Sequence, residues 1–200
     1  MIEQLNSLDK SLLYFINKGL SNPILDQIMP FITNQNNWLI PFIVLSFILL
    51  FKTGARGKIA FTLLLLGFAL TDFSASQYLK PFFGRLRPSY TLISEINLLV
   101  NKGGKLSLPS NHAANSFMIA TIVGYFFSHY KVPLYIWASI ISFSRIYVGV
   151  HYPGDIIMGA LYGYGIAWIV LSLWVILKMR ELKRGHTWVW YADESKNNNL

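Results

Sequence analysis

Cysteine is absent from this chain of 200 residues. That excludes disulfide staples and thiolate metal sites, and it leaves the compartment open. Charge is also scarce. Only 13% of residues are Asp, Glu, Lys or Arg, where a soluble domain has about a quarter. Acid is scarcer still, with 9 acidic residues against 17 Lys and Arg and a net charge of +8. No internal repeat or low-complexity tract is present. What fills the space is apolar: 54% of residues are hydrophobic and the mean hydropathy is +0.43. This is the composition of an integral membrane protein of one domain. In a soluble chain the basic excess would point to nucleic acid. Here loops beside acidic headgroups account for it, and no nucleic-acid partner is expected. A cleavable signal peptide is not expected either, because Glu3 and Asp9 stand where a basic flank and an apolar run would begin.

The pattern predicts an all-α, polytopic membrane helix bundle of five to six transmembrane helices, preceded by an amphipathic region. In residues 8–33, Leu8, Leu12, Leu13, Phe15, Ile16 and Leu20 recur at helical spacing, broken by Lys18, Asn22 and Pro23. Two short helices lying in the membrane interface fit this pattern; the alternative is that part of the region spans. Stronger apolar segments cover 38–51, 59–79, 113–127, 132–150 and 156–177. A span needs about 20 residues, so the first and third must recruit flanking polar residues. The organisation expected is an amphipathic region at 1–36, a transmembrane catalytic domain at 37–180 and a cytoplasmic tail at 181–200. Trp188, Trp190 and Tyr191 read as an interfacial aromatic anchor, and 193–200 as a polar, frayed end.

Loop charge orients the bundle. Lys52, Arg56, Lys58, Lys131, Lys178, Arg180, Lys183, Arg184 and Lys196 fall on one side. Lys80, Arg85, Arg87, Lys102, Lys105 and Arg145 fall on the other. The bias is small, but Lys80, Arg87 and Arg145 have a chemical reason to be where they are. The tail is therefore expected in the cytoplasm and the second group outside.

Three polar islands interrupt the apolar segments, and with five spans all three emerge on the same side. Charge beside a bilayer is costly and points to function. The first island runs from Lys80 to Pro88, with Pro81 and Pro88 expected to stop helix at its two ends. Lys80 and Arg87 can converge on one anion, or simply snorkel to headgroups. The second is Pro109-Ser110-Asn111-His112. Ser110 or Asn111 suits an N-cap, and a helix N-terminus offers free N–H groups to an anion; a lone histidine such as His112 is more often structural than catalytic, and its companions shift that balance. The third runs from Ser144-Arg145 to His151 and Asp155. Its spacing allows the Asp155 carboxylate to orient the His151 imidazole, freeing the other ring nitrogen to attack. A pair that only staples a loop would look the same. Asp72 reads as helix–helix glue or as support for the site, and Gly159 with Gly163 as a small-residue packing pair within the chain, which assigns no oligomeric state.

Taken together, Lys80-x6-Arg87-Pro88, Pro109-Ser110-x-His112 and Ser144-Arg145-x5-His151-x3-Asp155 resemble the three-part signature of the type-2 phosphatidic acid phosphatase family, whose superfamily includes vanadium haloperoxidases and soluble acid phosphatases. The motifs span about 75 residues. The resemblance implies a metal-independent lipid phosphatase with no cofactor, in which His151 is the nucleophile that becomes phosphohistidine. Asp155 holds it, and His112 is the general acid. Lys80, Arg87, Ser110, Asn111 and Arg145 bind the substrate phosphate. Asn111 stands where the family usually has glycine, so its side chain is expected to touch substrate in place of a close backbone approach. A bacterial inner-membrane location with an outward or periplasmic site is implied, with a lipid phosphate as partner. Undecaprenyl diphosphate or lipid A 1-phosphate is favoured over phosphatidylglycerophosphate and phosphatidate. Lipid-to-lipid phosphotransfer and a lipid-binding protein with a dead site are the competing activities.

Overall fold

A computed structural model describes residues 2–189. Among them every regular element is helical, and one isolated bridge joins Leu86 to Leu106. Trp190, Tyr191, Lys196 and the 193–200 end lie outside the described residues. Trp188 is described and is exposed. Its indole N–H donates to Glu181 at 3.3 Å and its ring packs on Trp174.

The N-terminal region forms two helices, as expected. Helix α1 (Ile2–Tyr14) runs into a π turn, Phe15–Gly19. Asn22 then caps α2 (Pro23–Thr33), its side chain accepting from the Ile24 and Leu25 amides, with Pro23 in the first turn. These helices do more than lie flat. Leu13 is buried with Leu92, Ile96, Ile146 and Tyr152. Asn17, fully buried, exchanges hydrogen bonds with the backbone of Asn97 and donates to the Tyr147 carbonyl at 2.6 Å. The segment is seated on the loops that carry the polar islands. Its outer face keeps Leu8, Leu12 and Phe15 exposed, which suits an interface.

Helix α3 (Leu39–Phe51) follows a 3-10 turn at Gln35–Trp38. Thirteen residues reach about 20 Å, short of a bilayer core. The chain from α2 through α3 qualifies as a span only as a pair bent by 65°, so the expected boundary after residue 36 falls inside it. Helix α4 (Gly54–Ser74) continues through a π turn, Ala75–Leu79, into α5 (Lys80–Phe83), a helix of 30 residues in all. Pro81 therefore does not stop the helix. The wider π turn just before it relieves the i−4 carbonyl contact that a proline ring would strike. The stop comes at Gly84, whose left-handed φ of 60° lets its N–H reach the Lys80 carbonyl. Pro88 likewise begins a helix, the short α6 (Pro88–Thr91).

Helices α7 (Asn111–Phe126), α8 (Lys131–Tyr147) and α9 (Pro153–Lys183) complete the bundle. Short α7–α8 and α8–α9 connections make antiparallel neighbours. Helix α7 packs against α4, α8 and α9, which is why its apolar residues are not confined to one face. Close approach to α9 depends on two glycines. A Cβ on Gly163 would lie 1.9 Å from the Ala114 carbonyl, and one on Gly159 would lie 2.6 Å from the Ser110 carbonyl. The small-residue pair thus packs within the chain. Outward faces carry exposed Leu65, Phe68, Leu161, Ile169 and Leu173, a surface for lipid rather than water. Of the five expected spans, only Gly54–Phe83 and Pro153–Lys183 are single helices long and apolar enough to cross; the bent pair would be a third.

Candidate active site

The geometry begins with a loop. Gly149, at φ 82°, turns the chain back after α8, and Val150 N–H returns to the Arg145 carbonyl at 3.2 Å. His151 is thereby folded inward, 1% exposed. Two residues on, α9 starts, and Asp155 occupies its third position in a reciprocal cap with Tyr152. One Asp155 oxygen accepts from the Tyr152 amide at 2.9 Å and lies 3.3 Å from His151 Nδ1. With a carboxylate at Nδ1, the proton sits there and Nε2 keeps its lone pair. Burial first, then the charges of Arg87, Arg145, Lys80 and Arg85, hold the imidazole well below its ordinary pKa. His151 is therefore neutral at physiological pH.

The same charges bring the islands together electrostatically: Lys80, Arg87 and Arg145, the basic residues expected in the cradle, all lie close enough to act on the His151 imidazole. Arg87 is buried, its Nε donating to the Leu106 carbonyl at 3.1 Å, and Gly103 lies over its guanidinium so closely that a Cβ would sit 2.8 Å from Nη1. Arg145 is buried at the end of α8. Its Nη1 donates to Thr33 of α2 at 2.6 Å, while its Nε has no partner among the described residues. A buried, unpaired guanidinium donor is costly unless an anion arrives. Lys80 is half-buried at the top of α5.

Helix α7 presents its N-terminus here. Ser110 is the N-cap residue, but its hydroxyl makes no cap; it is buried without a partner among the described residues, and its amide donates to the Asp155 carbonyl at 3.1 Å. That bond, beside Gly159, ties the starts of α7 and α9 together. His112 sits in the first turn of α7, within electrostatic reach of Arg145, His151, Arg87 and Lys80. Asn111 departs from expectation. Its side-chain amide donates to Asp72 at 2.7 Å and to Ser76 at 2.8 Å, so both amide hydrogens are taken by α4 and the π turn that follows it. Asp72 also accepts from Asn115 at 3.4 Å, the helix–helix glue that the sequence allowed.

Sequence reasoning missed four contributors. Arg85 Nη1 donates to the second Asp155 oxygen at 2.9 Å, and the Ser107 hydroxyl donates to the same oxygen at 3.3 Å. Asp9 pairs with Arg85 at 2.5 Å and accepts from the Gly154 amide at 2.7 Å. Thr33 holds Arg145. Arg85 lies within the first island and Ser107 just before the second, so a cation and a hydroxyl flanking the motif positions were the available signal. Asp9 and Thr33 carry no local signal, because their partners lie far along the chain.

Comparison with known proteins places this geometry. Residues 58–178 match the family model of the PAP2 superfamily. A lipid A 4'-phosphatase of Bacteroides thetaiotaomicron is 34% identical over 176 residues, covering 84% of this chain and 78% of that protein. The undecaprenyl-diphosphatase BcrC of Bacillus subtilis is 29% identical over 145 residues, covering 70% of each. The crystal structure of Aquifex aeolicus LpxE superposes with a TM-score of 0.69 at 31% identity, over 82% of this chain and 95% of that one.

Proposed function

The chain belongs to the PAP2 superfamily and is an integral-membrane lipid phosphatase; on that premise we propose that it removes a phosphate from a lipid A-type phosphate through a phosphohistidine on His151. The observation that carries the mechanism is the neutral, buried His151 with Asp155 at Nδ1 and basic side chains around it. Lys80, Arg87 and Arg145 hold the phosphoryl oxygens, with the Ser110 hydroxyl and the backbone N–H groups at the start of α7, including the backbone N–H of Asn111. His151 Nε2 attacks phosphorus, the bond from phosphorus to the lipid oxygen breaks, and His112 gives that oxygen a proton. Water, losing its proton to His112, then attacks the phosphohistidine and releases phosphate.

The likeness to a lipid A 4'-phosphatase favours lipid A over the other candidates. Likeness to an undecaprenyl-diphosphatase supports undecaprenyl diphosphate as a second reading. The cradle binds phosphate and leaves the lipid to the bundle surface. The bundle from α3 to α9 forms the membrane part of the phosphatase, with the site on the outer, periplasmic face of a bacterial inner membrane; the loop cations support that orientation.

A panel of lipid A, undecaprenyl diphosphate, phosphatidylglycerophosphate and phosphatidate, assayed for free phosphate with and without EDTA, tests substrate and metal independence together. Release from lipid A is expected. A doubly phosphorylated lipid without free phosphate would instead mean phosphotransfer. His151→Ala should abolish turnover, and normal turnover by that variant in detergent would rule out the covalent route.

A further inference from the structure

Asp155 is not held by His151 alone. Its second oxygen accepts from Arg85, and Arg85 is itself gripped from the other side by Asp9 of α1. The guanidinium gives one nitrogen to each carboxylate, and its face lies 4.1 Å over the Tyr152 ring. Asp9 makes a second bond, from its other oxygen to the amide of Gly154. That amide belongs to the first turn of α9, between His151 and Asp155. Asp9 therefore grips the pair twice, once through a cation and once through the backbone between its members. Both acids are largely or wholly withdrawn from water, with side chains 12% and 0% exposed, so the chain of charges acts at low dielectric.

Building on the proposed role of His151, we infer that Asp9 is a positioning residue for the reaction and that α1 is a working wall of the active site, in addition to any membrane contact it makes. Two physical effects support this. Without Asp9, Arg85 has Asp155 as its only carboxylate and can turn to take both oxygens, drawing the carboxylate off His151 Nδ1. With Asp9 in place, two acids share one cation, so Asp155 keeps net negative charge to support the imidazole as it attacks. The family match begins at residue 58, well after Asp9, so this role lies outside what that match covers. Thr33 of α2 does the equivalent for Arg145: the N-terminal segment holds two basic residues of the site, Arg85 and Arg145.

The test uses the full-length protein in detergent, with lipid A as probe, or dioctanoyl phosphatidate if lipid A is not turned over. Asp9→Asn keeps the shape and loses the charge. It should lower kcat by about ten-fold to a hundred-fold with KM little changed, and Asp9→Glu should recover part of the loss. In an Arg85→Gln background, Asp9→Asn should cost little more, because the effect runs through Arg85. Wild-type kcat for Asp9→Asn would overturn the inference. So would effects of Asp9→Asn and Arg85→Gln that simply multiply, or a lowered unfolding midpoint with unchanged kcat per folded molecule. His151→Ala measured alongside separates the two readings. If it retains turnover, the mechanism at His151 fails. If it is dead while Asp9→Asn is fully active, only the role of Asp9 fails.

Discussion

At the residue scale, His151 shows how one side chain is prepared by everything around it. Its imidazole is buried, neutral and flanked by cations. Unfolded, it would titrate near pH 6.5. Below that pH the unfolded chain takes up a proton that the folded chain refuses, so folded-state stability falls as pH falls. The slope from this one group is at most about 1.4 kcal/mol per pH unit. His151→Gln should flatten the decline of the thermal unfolding midpoint between neutral and mildly acidic pH; an unchanged slope would mean His151 is not held neutral. Arg145 makes the converse case. Its Nε is a buried donor with no partner among the described residues, and Thr33 spans only one of its nitrogens. Thr33→Val should therefore weaken phosphate binding, seen as a several-fold rise in KM for the lipid, and lower the unfolding midpoint as well, because Arg145 Nη1 loses its buried partner.

At the element scale, the site depends on how closely α7 and α9 approach. Gly163 faces the Ala114 carbonyl with no room for a methyl group, whereas a Cβ on Gly165 meets nothing within 4 Å. Gly163→Ala should cost about 1–3 kcal/mol by overpacking and reduce activity with it, since the same interface sets Ser110 against Asp155. Gly165→Ala should be neutral or slightly stabilising, by up to about 1 kcal/mol. Melting curves of the two variants in one detergent decide the matter, and equal midpoints would contradict the packing argument. The π turn before Lys80 belongs to this scale as well. Proline rules applied locally predict a helix end at Pro81, yet a one-residue widening carries the helix on to Gly84, and this places Lys80 on a helix rather than in a loop.

At the scale of the whole molecule, the site end and the far end of α9 are separated by a helix of 31 residues, about 46 Å. Helix α1 is tied to the site end through Asp9. The site loops and the cations that follow α9 should then lie on opposite membrane faces. The chain has no cysteine, so single cysteines placed at Ser94 and at Lys183 report sides cleanly. A membrane-impermeant maleimide added to intact cells should label the first and spare the second; the reverse would invert the proposed orientation. Composition alone determined a membrane-embedded helical protein, since so much apolar side chain and so little charge cannot fold in water as one domain. Spacing alone brought His151 and Asp155 together, because Asp155 enters the first turn of α9 just after the loop that carries His151, a geometry the chain fixes over a few residues. Tertiary structure decided the rest. It turned Asn111 toward Asp72, packed Gly163 on Ala114, and brought Asp9 and Thr33 to the basic residues of the site. Those contacts join residues tens of positions apart, and they depend on which helix faces which, a choice made by packing that no local pattern encodes.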